Sequence, residues 1–130
     1  MRVLYVDDNA VNRLVVSEML RAAGIAMDEA EDGETGLRMV DEGAYHLVLM
    51  DLRMPGMDGA AAIRRLRARG DAKARTPIIV VTGDASPTVA AECRAAGADD
   101  LIMKPVALAE LYGAIERIMA PAARRRALRA

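Results

Sequence analysis

The chain has 130 residues, 53% of them hydrophobic, and a net charge of −1. That length supports one domain with a proper core, and that apolar content excludes disorder. No apolar run approaches the ~18 residues of a membrane span, nothing before Asp7 has the form of a signal peptide, and the single Cys93 has no internal disulfide partner, so a cytoplasmic protein is expected.

Taken in order, strand and helix patterns alternate five times. Short apolar runs predict strands over 2–7, 46–51, 77–82 and 100–104, and a further strand is expected over 25–30. Helical periodicity predicts helices over 10–23, 34–42, 59–69, 87–96 and 107–119. Such alternation indicates an α/β fold with a parallel sheet covered on both faces. Gly24, Gly43, Gly70 and Gly97 each follow a helical pattern, as C-terminal glycines do. Ser86 followed by Pro87 reads as an N-cap with proline at the first helical position. There is no internal repeat. Residues 1–120 form the expected domain and residues 121–130 a basic C-terminal tail. Four arginines fall in that tail, so the body alone carries −5, which argues against nucleic-acid binding by this domain.

The strand ends carry the chemistry. Val3-Leu4-Tyr5-Val6 runs into Asp7-Asp8, and His46-Leu47-Val48-Leu49-Met50 into Asp51. Ile78-Ile79-Val80-Val81 runs into Thr82, and Leu101-Ile102-Met103 into Lys104-Pro105. Open parallel sheets place ligands beyond the carboxyl ends of their strands. Each residue alone has an ordinary reading: Asp7-Asp8 as a helix cap, Asp51 as a turn residue, Thr82 as a structural strand end. Lys104 stands apart, because the chain holds 16 Arg and only two Lys.

The ordered set Asp7-Asp8, Asp51, Met54-Pro55-Gly56-Met57-Asp58-Gly59, Thr82 and Lys104-Pro105 resembles the response-regulator receiver domain, the CheY-like phosphoacceptor of two-component signalling. The resemblance covers residues 2–119. It implies a flavodoxin-like, doubly wound (βα)5 fold with a five-stranded parallel sheet in the order 2-1-3-4-5. It also implies a signalling switch, not an enzyme acting on other substrates, which catalyses only its own Mg²⁺-dependent phosphorylation and dephosphorylation. Asp51 would be the phosphoacceptor. Mg²⁺ (or Mn²⁺) would be held by Asp8, Asp51 and the Arg53 backbone carbonyl, with Asp7 acting through water. Thr82 and Lys104 would bind the phosphoryl group.

The switch position three residues before Lys104 is Leu101, where the resembled family often has an aromatic, and Tyr112 is a candidate replacement. Arg53 and Asp84 each follow a site residue by two positions and are expected to gate the cleft mouth. Lys104-Pro105 is a candidate cis peptide. The phosphodonor would be a histidine kinase or histidine phosphotransfer protein. The face built from helix 87–96, strand 100–104 and helix 107–119 would bind an effector or a second copy. No membrane contact is implied.

Ten residues beyond the domain leave no room for an output domain. A stand-alone regulator or the receiver of a hybrid histidine kinase is therefore expected, and Val6-Asp7-Asp8-Asn9-Ala10-Val11-Asn12-Arg13 resembles the second. Alternatives are an aspartyl-phosphate phosphohydrolase of the haloacid dehalogenase type and a degenerate receiver that only docks partners. The first usually has a second Asp two residues after the nucleophile, where this chain has Arg53. The second typically lacks the acidic pair or the lysine. His46, the only histidine, reads as a packed or edge residue. One His and one Cys far apart support neither a zinc site nor a Cys-His nucleophile.

Overall fold

In the computed structural model, residues 1–129 are described, and side chains to residue 119. The chain runs β1 (Arg2–Val6), α1 (Ala10–Ala22), β2 (Ala26–Ala30), α2 (Gly33–Glu42), β3 (Leu47–Asp51) and α3 (Gly59–Arg67). A 3₁₀ turn (Ala72–Arg75) precedes β4 (Ile78–Thr82), α4 (Pro87–Ala96), β5 (Asp100–Met103) and α5 (Leu108–Arg129). All strand pairs are parallel, in the order β2-β1-β3-β4-β5. This is the flavodoxin-like arrangement expected from the sequence.

The period of two along each strand divides the core into two layers. Leu4, Val6, Val48, Met50, Ile78 and Val80 face α2, α3 and α4. Val3, Tyr5, Leu47, Leu49, Ile79 and Val81 face α1 and α5. β3 and β4 are buried along their whole length, which explains why they read as unbroken apolar runs.

Side chains cap the helix starts. Asn9 accepts the Val11 and Asn12 N–H groups, Asp32 that of Thr35, Asp58 that of Ala61 and Ser86 that of Val89. The cap of α1 is thus Asn9, which leaves the carboxylates of Asp7 and Asp8 for other work. Gly97 ends α4 at φ 116°, a conformation that disfavours any side chain. Gly24 takes φ 74° just past α1, whereas Gly43 and Gly70 have no positive φ.

Four details depart from the sequence reading. α3 stops at Arg67, two residues early, and the 3₁₀ turn is too short to show a period. α5 continues past 119 through Pro121 to Arg129, where Ala and Arg favour helix. Tyr112 does not replace an aromatic at Leu101. It packs in the α1/α5 layer with its hydroxyl on the Met19 carbonyl (2.6 Å), while Leu101 packs in the opposite layer.

Candidate functional site

The order of strands reverses between β1 and β3, so the loops after these two strands diverge and open a crevice. Asp7 and Asp8 follow β1, Asp51 ends β3, Thr82 ends β4 and Lys104 follows β5. Together with Asn9, Asn12, Arg53, Gly83 and Asp84, all but the buried Asp7 line one open cleft of about 430 Å³.

Gly59 sets the floor. A Cβ there would stand 2.1 Å from the Asp51 carbonyl oxygen, so only glycine lets the start of α3 lie against the end of β3. Its N–H donates to the Leu52 carbonyl at 2.9 Å. Asp58, one residue earlier, caps the same helix. The run after Asp51 is therefore a turn built to hold that residue at the cleft.

Carboxylate oxygens of Asp7, Asp8 and Asp51 lie within 4.8 Å of one another. Asp7 and Asp51 are buried and Asp8 is exposed. Lys104 Nζ lies 3.0 Å from Asp51 Oδ1 and 3.2 Å from Asp7 Oδ2. One ammonium thus pairs with two of the three clustered carboxylates. An all-oxygen cluster with surplus negative charge suits a hard divalent cation that keeps several waters, so these residues fit Mg²⁺.

The two buried carboxylates differ. Burial acts to raise the Asp7 carboxyl, but the Tyr5 hydroxyl, the Asn9 N–H and Lys104 hold it below the ordinary range. Burial raises Asp51 above that range. Lys104 opposes this, and the Asp7 charge adds to it. Burial works against the Lys104 charge, yet its bonds to Asp51 and Asp7 keep the ammonium above its usual value. Of the two buried carboxylates, Asp51 is thus the one whose charge the protein compensates less.

Thr82 is buried, and its Oγ1 accepts the Asp84 N–H at 3.2 Å. At the mouth, Arg53 Nη2 lies 3.6 Å from Asp84 Oδ2. Asp84 Oδ1 also accepts the Ser86 N–H at 2.9 Å, which ties the β4–α4 loop to the start of α4. The Lys104–Pro105 peptide is cis. Leu101 lies apart from these groups, half-buried in a groove between α4 and β5 with Ala90, Cys93 and Arg94. His46 is exposed beside β3 and accepts the Arg2 N–H on Nδ1.

Several groups at the site were not singled out by their sequence pattern. The wholly buried Tyr5 donates its hydroxyl to Asp7 Oδ2, and Asn12 reaches the same oxygen at 3.4 Å. Arg13 donates to the Asp7 carbonyl and to Glu29 Oε1, bracing the β1–α1 loop against β2. The available signal for Tyr5 was its place two residues before Asp7, on the same face of the chain.

Comparison with known proteins agrees with this geometry. The model of the response regulator receiver domain matches residues 3–116. The two-component response regulator ORR41 of Oryza sativa subsp. japonica is 44% identical over 114 residues, which are 85% of this chain and 87% of that protein. The gliding motility regulatory protein of Myxococcus xanthus is 36% identical over 119 residues, 91% of this chain but 15% of that much longer protein. Among solved structures, the receiver domain of a sensor histidine kinase from Pseudomonas aeruginosa, with magnesium coordinated in its active-site cleft, superposes with a TM-score of 0.82. It is 36% identical and covers 89% of this chain and 94% of that one. The chain belongs to the response regulator receiver domain family, a signalling switch of response regulators and hybrid histidine kinases, and neither the phosphohydrolase nor the degenerate receiver is favoured.

Proposed function

We propose that Asp51 takes a phosphoryl group from a phosphohistidine of a histidine kinase or phosphotransfer protein, with Mg²⁺ bound by Asp8, Asp51 and the Arg53 carbonyl and Asp7 acting through water. The observation that carries this reading is the placement of Asp51. Its carboxylate reaches the floor of an open cleft, beside one ammonium and two further carboxylates. An Asp51 oxygen forms the new P–O bond, the P–N bond to the donor imidazole breaks, and the departing ring nitrogen gains a proton. When bound, the cation neutralises charge between the carboxylates and the phosphoryl oxygens. Mn²⁺ shares that oxygen-ligand chemistry.

The chain's own groups do the rest. Lys104 pairs with Asp51 beforehand and has the reach and charge to hold a phosphoryl oxygen afterwards. Thr82 donates its hydroxyl to another, while the Asp84 N–H keeps that side chain oriented. Arg53 and Asp84 form the gate at the mouth. Exposed Val11, Leu14 and Val15 on α1, the helix that begins beside the cleft-lining Asn9 and Asn12, with Met103 and Leu108 flanking the loop that carries Lys104, offer the phosphodonor an apolar landing surface.

Output passes through the α4-β5-α5 face to an effector or a second copy. Leu101 has no ring to swing, so the readout there is a shift of α4 following Thr82. Among the described residues no helix is long and apolar enough to cross a membrane. The buried free thiol of Cys93 suits a reducing, cytoplasmic setting. A relative of similar length and a much longer one named as a hybrid signal transduction histidine kinase support the stand-alone and hybrid-kinase settings alike.

Incubation with acetyl phosphate and Mg²⁺, followed by intact-mass measurement, tests the assignment. One phosphoryl group should be gained by the protein and none by Asp51→Asn. A full-stoichiometry adduct on the Asn variant would show that another residue is the acceptor, and turnover of added phosphoesters would revive the phosphohydrolase.

A further inference from the structure

Tyr5 departs from its neighbours in the sheet. The positions paired across β1 and β3 in the same layer are aliphatic, with Leu49 opposite Tyr5 itself. Tyr5 places a hydroxyl in that dry layer, and a buried hydroxyl needs an acceptor. Its acceptor is Asp7 Oδ2 at 2.5 Å, a short bond to a charged oxygen.

A carboxylate offers about four lone-pair positions. Asp7 has four donors: the Asn9 N–H on Oδ1 (2.8 Å), and on Oδ2 the Tyr5 hydroxyl, Lys104 Nζ (3.2 Å) and Asn12 Nδ2 (3.4 Å). Lys104 also has Asp51, and Asn12 lines open solvent, so both have other choices. The Tyr5 hydroxyl is enclosed and has no other side-chain acceptor among the described residues. Asp8, by contrast, is exposed and accepts no side-chain hydrogen bond among those residues.

We propose that Tyr5 is a positioning residue that holds Asp7 out of the inner coordination sphere and so sets the site's preference for Mg²⁺ over Ca²⁺. The inference rests on the receiver reading above. Mg²⁺ binds through one or two carboxylates and retains waters, whereas Ca²⁺ takes six to eight oxygens and accepts bidentate carboxylates. A tethered Asp7 leaves a two-carboxylate site suited to the smaller ion. A released Asp7 adds a third carboxylate that a larger shell can use.

Calorimetric titration of the protein and of Tyr5→Phe with Mg²⁺ and, separately, Ca²⁺ tests this. Tyr5→Phe should tighten Ca²⁺ binding about tenfold while Mg²⁺ binding changes much less. Loosening of the fold alone would weaken both ions together. An unchanged ratio of the two affinities, or a loss of both, overturns the proposal. If the unaltered protein binds neither ion, the receiver reading falls and takes this proposal with it. Should Tyr5→Phe not fold, a crystal structure of the unaltered protein with Mg²⁺ decides. Water between Asp7 and the ion, with the Tyr5 bond kept, supports the proposal. An Asp7 oxygen about 2.1 Å from the ion refutes it.

Discussion

Lys104 Nζ stands 3.0 Å from Asp51 Oδ1 and 3.2 Å from Asp7 Oδ2, one ammonium shared by two buried carboxylates. With Asp8 nearby, two negative charges have no protein counter-charge. Such a cluster stores unfavourable energy in the fold when no cation is bound.

Asp51→Asn should therefore stabilise the protein without divalent cations, by about 1 kcal/mol, as removal of a strained functional group commonly does. Urea melts in a chelating buffer check this. Adding Mg²⁺ should raise the stability of the unaltered protein more than that of the variant, because linkage follows differential binding. A variant that is less stable than its parent in chelator would mean that Lys104 and its partners already balance the site.

The proposed gate at the mouth can be tested through the lifetime of the phosphoryl group. The Arg53–Asp84 pair is 3.6 Å apart and largely solvated, so its effect on folding should be within ~0–1 kcal/mol. Its effect on water access is a separate matter. In-line attack on the acyl phosphate needs a water opposite the Asp51 oxygen, and each ~1.4 kcal/mol of added barrier slows hydrolysis tenfold. Arg53→Ala and Asp84→Asn should each speed dephosphorylation, measured as phosphate release after removal of the donor. The Asn variant keeps an acceptor for the Ser86 N–H. The double variant should be less than additive, because one bridge is lost only once. Unchanged rates in both single variants would leave Arg53 no role beyond its carbonyl.

Gly59→Ala should cost ~1–3 kcal/mol by overpacking, because its Cβ meets backbone that cannot rotate away. Gly70 has nothing within 4 Å of its added Cβ and no positive φ, so Gly70→Ala should be neutral or slightly stabilising. Urea melts of the two variants side by side give the comparison. The idea fails if the two cost the same.

Four strands were legible as apolar runs closed by turn residues, and the site was legible because three of those runs end in groups of complementary charge and the fourth in the Thr82 hydroxyl; β2, with Asp28 and Glu29 inside it, was legible only from its place in the alternation. Other features carried no such signal. Tyr5 within an apolar run looks like core, since a sequence does not show where its hydroxyl ends. Tyr112 could face either layer, and which one depends on how α5 sits against α1. Pro121 reads as a helix stop, yet α5 continues through it. The 3₁₀ turn before β4 is shorter than any period that could announce it. Arg67 is another hidden case. At the end of α3 it reads as one more surface arginine, but it donates to the carbonyls of Gly97, Ala74 and Thr76 and to Asp99, joining α3 to the loops that flank β4 and β5.

Acid sensitivity should trace in part to Asp28 on the edge strand β2. Its Oδ2 accepts the Tyr45 hydroxyl at 2.7 Å and Arg2 Nε at 3.0 Å. The Tyr45 bond, more than the nearby Arg2 charge, holds this carboxyl below its ordinary value. A carboxyl depressed on folding contributes stability that is complete above its unfolded pKa of ~3.9 and is lost as pH falls through the folded value. Asp28→Asn removes that contribution. The stability difference between parent and variant should thus be full at neutral pH and shrink below about pH 4. Other depressed carboxyls, such as Asp32 and Asp71, titrate in both proteins and cancel in the difference. Salt separates the two partners of Asp28. The Arg2 pair is exposed and should be screened at about 0.5 M, whereas a hydrogen bond from Tyr45 should persist. Most of the difference should therefore survive high salt and be lost in Tyr45→Phe. A difference that stays constant from neutral pH to pH 3 would show that the variant acts through packing and not through the carboxylate's charge.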